Sequence, residues 1–255
     1  MKNVLMKGWR PAAVLLLLFI LWELAIMLAE VPAWLLPPPT EIFQEAVAGW
    51  DGFLLHLQST VMLSLLGFAI GTGIGLLTAV LLHLLPFLRE SIYPLLILSQ
   101  NVPIIVLAPL LVVWFGFGIL PKLIVITLVC FFPITVAALD GFRQTPRELK
   151  HYMLMAGANK GQLFWKLELP YSLPSLFSGL KISATYSVMG SVISEWLGAK
   201  NGIGVYMTLA SSSFRTDRVF VAIFAIMVLS LLFFGAILLA ERLLVKWKTQ
   251  DGVRK

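Results

Sequence analysis

Six stretches of this 255-residue chain, at about 11–30, 59–84, 92–114, 119–139, 173–196 and 217–241, are apolar over the length of a bilayer-crossing helix. A helix rising 1.5 Å per residue needs about 20 such residues to span the hydrocarbon core. Strands of an outer-membrane barrel would alternate in polarity over about ten residues, and these runs do not. The fold class is therefore an all-α integral membrane protein with six transmembrane helices. Composition agrees: 59% of residues are hydrophobic and only 13% are charged, too apolar for a soluble domain or a solvating disordered chain.

The formal charge of +6 is explained by topology rather than by nucleic acid. With the 1–10 segment in the cytoplasm, fourteen Lys and Arg fall inside and four, Lys122, Lys200, Arg215 and Arg218, fall outside, with Lys181 left within a span. Positive residues concentrate in cytoplasmic loops, so both the 1–10 terminus and the 246–255 tail are expected there. The first run follows Lys2, Lys7 and Arg10 but continues past Trp22 without a small-x-small cleavage site, which favours a retained span over a signal peptide. Glu23 within it should face another helix. Lys181 should snorkel to the cytoplasmic interface.

Residues 31–58 read as an extracytoplasmic interfacial segment. After Pro37-Pro38-Pro39, Ile42, Phe43, Ala46, Val47 and Trp50 share a helical face, as in a helix lying in the membrane surface. Gly67, Gly71 and Gly75 recur every four residues in the second run, the spacing of close helix contact. The adjoining GTGIG string follows no strand and is no dinucleotide fingerprint. The halves of the chain share no motif, unlike carriers built from inverted repeats.

Chemistry-bearing residues are sparse. Cys130 is the single cysteine and lies in an apolar run; His56, His83 and His151 lack metal-ligand spacing, so neither a metal site nor a catalytic residue is assigned. The polar residues collect in three places. A loop from about 140 to 172 has structure of its own: Thr145-Pro146-Arg147-Glu148 reads as a helix start, Gly157 as its left-handed stop, and GQLFWKLELP as a second segment ending at Pro170. Asp140, Arg143, Lys166 and Glu168 there could form boundary ion pairs. In the fifth run Ser183, Ser187, Ser191 and Ser194, with Glu195, form a stripe on one face, expected to face a polar pathway or the helix across it. Gln100 and Asn101, followed by Pro103 and Pro109, form a second polar, helix-breaking cluster at membrane depth, tolerated where it lines a cavity or packs within protein.

The 140–172 loop resembles the signature of inner-membrane permease subunits of binding-protein-dependent ABC importers, EAA, three residues, Gly, nine residues, a hydrophobic residue, one residue and Leu-Pro. Gly157, Leu167, Leu169 and Pro170 fit it, whereas the EAA positions are His151, Tyr152 and Met153, with Ala156 before the glycine. PIIVLAPLLVVWFGFGILPK, FFPITVAALDGFR, LPYSLPSLFSGLKIS and SEWLGAKNGIG are similar to the branch importing nitrate, sulfonates, taurine and thiamine pyrimidine precursors.

The resemblance covers about residues 55–245. It implies a type I importer permease fold in the cytoplasmic membrane of a bacterium, whose coupling helix, with His151, Tyr152, Met153, Ala156, Gly157, Leu167, Leu169 and Pro170, enters a cleft on an ATPase subunit. It implies an extracytoplasmic substrate-binding protein as a second partner, a permease homodimer in membrane lipid, and a pathway for which Gln100, Asn101, Ser187, Ser191, Ser194 and Glu195 are candidates. FSGLKISATYSVMGSVISEWLGA is most similar to permeases for hydroxymethylpyrimidine or formylaminopyrimidine, with sulfonate, taurine or nitrate as the alternative. No G-x-x-x-x-G-K-[ST] phosphate loop is present, so the chain is expected to be no enzyme and to bind no cofactor, with ATP and Mg held by the partner ATPase. An ATP-independent channel or carrier, and an intramembrane enzyme built on His56 or His83, are readings from other classes.

Overall fold

A computed structural model describes residues 2–245, so the 246–255 tail lies outside the described residues. The chain runs α1 (Lys2–Ala29), α2 (Pro39–Ala48), α3 (Trp50–Leu84), α4 (Pro86–Ser99), α5 (Ile104–Phe115), α6 (Ile119–Arg143), α7 (Arg147–Met155) and α8 (Lys160–Leu163). A π-helical turn (Phe164–Glu168), α9 (Leu169–Glu195), α10 (Ile203–Ser212) and α11 (Thr216–Leu244) complete it. Five helical units are long and apolar enough to cross a membrane, and α4 with α5 makes a sixth if that bent pair is one span.

Within the expected 92–114 run the helix is broken at the polar, proline-bearing cluster, and α4 and α5 meet at an angle of 100°. Pro103 explains the break, because it donates no N–H and drives Val102 out of helical geometry. The helix that carries the second run is longer than that run: α3 starts at Trp50, within the expected 31–58 interfacial segment, which also holds α2. α10 is an added element, too short to register as a bilayer-length run.

The centre is α9 packed on α6 and α3. Glycines make this possible: a Cβ on Gly67 would lie 2.3 Å from Ile126 Cγ2, one on Gly71 would lie 2.7 Å from Cys130 Cβ, and one on Gly179 would lie 2.6 Å from Ala137 Cβ. Gly75 approaches the Phe131 carbonyl and Ile134 in the same row, while Gly73 faces open space. A cluster of Ala79, Leu82, Ile134, Ala138, Leu139, Phe142, Phe164 and Leu176 fills the end of the bundle nearest α7 and α8. At the other end Ile42, Phe53, Val188, Ile203, Val221, Ala222 and Leu229 join α2, α3, α9, α10 and α11. Outside this core, Leu15–Leu18 of α1 and Leu231 and Leu232 of α11 point outward, as expected of a surface solvated by hydrocarbon.

α1 is peripheral and held by few contacts. Glu23 makes one of them, accepting the Thr40 hydroxyl at 2.7 Å and the Thr40 backbone N–H at 3.2 Å. The carboxylate thereby satisfies an orphan donor at the start of α2, where Pro38 offers no side chain to do so. Glu23 faces another helix, as its position in an apolar run required.

Candidate functional site

The 140–172 segment forms a compact projection. α7 ends in a Schellman motif: Ala158 N–H donates to Met153 O and Gly157 N–H to Leu154 O, both at 3.0 Å, with Gly157 at φ +82°. Asn159 and Gln162 then make a reciprocal capping box on α8. The expected Thr145 cap is corrected, because α7 starts after Pro146 without a side-chain cap and the Thr145 hydroxyl is buried without a hydrogen-bond partner among the described residues.

Of the residues matching the permease signature, His151, Tyr152, Ala156 and Gly157 are exposed, and Met153, Leu167, Leu169 and Pro170 are half-buried. α7 buries none of its residues, and Leu149, Tyr152, Leu154, Met155 and Trp165 present an apolar surface at the tip of the projection. At its base Glu168 is buried. One of its carboxylate oxygens accepts from Lys150 Nζ of α7 and the other pairs with His83 Nε2 of α3 at 2.7 Å. The His83 ring packs on Phe142 and Phe164, with centroids 4.7 and 5.9 Å away. Glu168 therefore does not use Arg143, which lies over the Tyr93 ring.

The serine stripe faces protein. Ser183, Ser187, Ser191 and Ser194 have no exposed surface. Ser183 donates to Cys130 O of α6, Ser187 to Ala184 O, Ser191 to Ser187 O and Ser194 to Ser191 O, all within 2.8–2.9 Å. Ser64 of α3 adds a bond to Ser191 Oγ. The stripe is thus a small-residue seam whose hydroxyls are satisfied largely by their own helix, which corrects the alternative of an open polar face in this conformation. Gln100 and Asn101 lie apart from it, exposed at the α4–α5 break. Gln100 lines a cleft of about 340 Å³ with Ile104, Phe132 and Tyr186.

Glu195 is buried for a different reason. Its oxygens accept the Thr60 hydroxyl at 2.7 Å and Gly204 N–H at 2.9 Å, and Thr60 Oγ1 accepts Ile203 N–H at 2.8 Å. Two orphan donors at the start of α10 are so satisfied by side chains from α9 and α3. Any side chain at Gly202 would collide, since its Cβ would lie 2.2 Å from Glu195 Cδ. We expect Glu195→Ala to lower stability by about 2 kcal/mol, a cap lost with a buried donor left unpaired. Glu195→Gln, which keeps an acceptor, should lose less. Thermal unfolding of the purified protein in detergent measures both, and equal stability of the alanine variant would reject the capping role.

Two further ionic contacts bind the periphery. Lys181, twelve residues into α9, pairs at 2.9 Å with Glu241, three residues before the end of α11, so it reaches toward that end of the bundle and is held between two helices. Arg215 and Arg218 both reach Glu45 of α2, at 2.9 and 2.7 Å. The hydrogen bonds that Arg215 donates to the Asp217 carboxylate raise its guanidinium above its ordinary pKa, keeping it charged. Thr60, His83, Lys150 and Glu241 carried no spacing motif.

A family model described as the binding-protein-dependent transport system inner membrane component matches residues 71–246. The chain is similar to the formylaminopyrimidine transport permease protein ThiX of Halalkalibacterium halodurans, 36% identical over 96% of this chain and 98% of that protein. It is similar also to the riboflavin transport system permease protein RibX of Chloroflexus aurantiacus, 32% identical over 92% and 88% of the two chains. A putative aliphatic sulfonates transport permease protein of Bacillus subtilis is 30% identical over 94% and 88%.

Proposed function

The chain belongs to the family of binding-protein-dependent transport inner membrane components, and on that premise we propose that it conducts a thiamine pyrimidine precursor, formylaminopyrimidine or hydroxymethylpyrimidine, into the cell. It is an ABC transporter permease, a multi-pass membrane protein. The observation that carries the substrate is the 36% identity, over nearly the whole of both chains, to a permease named for formylaminopyrimidine. The sulfonate permease similarity supports sulfonate or taurine as the second reading.

The chain works in the cytoplasmic membrane as a homodimer embedded in lipid, with both termini inside. The projection at 140–172 then lies on the same side, and its apolar tip enters a cleft on an ATPase subunit that holds ATP and Mg. His151, Tyr152, Met153, Ala156 and Gly157 form the entering helix and its stop; Leu167, Leu169 and Pro170 seat the segment on the bundle. An extracytoplasmic binding protein delivers substrate to the opposite face. Gln100 and Asn101, at the break between α4 and α5, are the polar groups that meet the pathway. The serine seam and Glu195 hold the helices beside it.

The test is ATPase stimulation in liposomes containing this subunit, its cognate ABC ATPase and its cognate binding protein. Formylaminopyrimidine, hydroxymethylpyrimidine, taurine and an alkanesulfonate are supplied in turn. Stimulation by a pyrimidine-loaded binding protein is expected. Stimulation only by a sulfonate or by taurine would replace the substrate assignment while leaving the importer.

A further inference from the structure

We propose that Glu168 is a positioning residue for energy coupling, pinning α7 to the membrane bundle through Lys150 and His83 so that a displacement of the projection moves the spans. The proposal rests on reading 140–172 as the coupling segment.

α7 has only Lys150 and Met153 half-buried and no residue fully buried, so packing alone holds it weakly. A polar tie adds to it. Lys150 lies in the middle of α7, and its ammonium bonds one oxygen of Glu168, whose other oxygen pairs with His83 near the end of α3. A single carboxylate, 6% exposed, therefore joins the projection, the start of the span-forming α9 and the end of α3. The joint is aimed as well as charged. Phe142 at the end of α6 and Phe164 of the π-helical turn pack on the His83 ring and on each other. They fix the direction of Nε2.

The turn that carries Glu168 has Leu169 N–H bonded to Phe164 O, a five-residue step. Such widened turns often occur at functional sites. Stability alone explains the joint poorly, since forming it desolvates a carboxylate beside the Phe142 and Phe164 rings. Replacing a buried ion pair by packed hydrophobic residues is often neutral or favourable for stability. A carboxylate there gives directional connection between elements, which apolar contact does not.

The experiment compares the unaltered importer with Glu168→Leu and Lys150→Met variants of this subunit, each reconstituted with its ATPase and binding protein. Substrate molecules transported per ATP hydrolysed is the readout. The expected result is a fall of at least fivefold in that ratio for both variants, with insertion, ATPase association and ATP turnover retained. A merely structural defect would reduce hydrolysis and transport together and leave the ratio unchanged, and an unchanged ratio overturns the proposal. If Glu168→Leu does not accumulate in the membrane, Lys150→Met, which alters a partly exposed side chain, decides alone. Failure of the unaltered subunit to associate with any ATPase would overturn the coupling reading itself, and is seen before any variant is compared.

Discussion

Gly157→Val is expected to reduce ATP-driven uptake by at least tenfold while the subunit still inserts in the membrane, whereas Gly157→Asn retains most of the activity. A Cβ at this position would meet no atom within 4 Å, so crowding is not the cause. The backbone is. Gly157 sits at φ +82°, where an L-residue costs about 1–2 kcal/mol and a β-branched one more. Asparagine tolerates this region because its short amide can bond locally. Valine would shift the stop of α7, moving Lys150 and the apolar tip relative to the π-helical turn. Uptake assays on membranes with matched subunit content separate the two variants. Normal uptake by a well-inserted valine variant would remove the left-handed turn from the mechanism.

The second large effect concerns the α3–α6 contact. Gly67→Leu places a side chain where its first carbon already lies 2.3 Å from Ile126 Cγ2. Ile126 is itself fully buried and cannot swing aside. Overpacking of this kind costs about 3 kcal/mol, so the variant is expected to unfold at a markedly lower temperature or to fail to accumulate. Gly73→Leu is the internal control. It lies in the same helix, with open space around its Cβ, and should leave the unfolding midpoint close to that of the parent. Equal losses from both substitutions would mean that the glycine row serves helix flexibility rather than helix contact.

These contrasts show which levels of organisation the residues disclose. The apolar runs reveal the spans because bilayer thickness imposes a length that few soluble segments reach. The same criterion hides α10, only ten residues long, and joins α4 to α5 across a break that Gln100, Asn101 and Pro103 mark. The spacing of Gly67, Gly71 and Gly75 discloses a contact face, and the structure adds the partner, α6. The serine stripe shows the limit of periodicity. It places four hydroxyls on one face of α9 but does not say whether water or another helix lies opposite, since each can satisfy itself on a nearby carbonyl. Glu168 is visible as a boundary charge next to Leu169 and Pro170. Its partners are not, because Lys150 is 18 residues away and His83 is 85 residues away, and only the fold brings them together. Glu195 and Thr60 are linked in the same way across 135 residues.

The most direct test of ATP-driven import is substrate uptake in liposomes containing this subunit, its cognate ABC ATPase and the loaded binding protein, with ATP supplied only on the side carrying residues 140–172. Accumulation on that side that needs ATP, and stops when the ATPase is inhibited, is the expected result. Uptake of equal rate without ATP or without the ATPase would contradict the importer assignment and identify the chain as a passive channel or carrier.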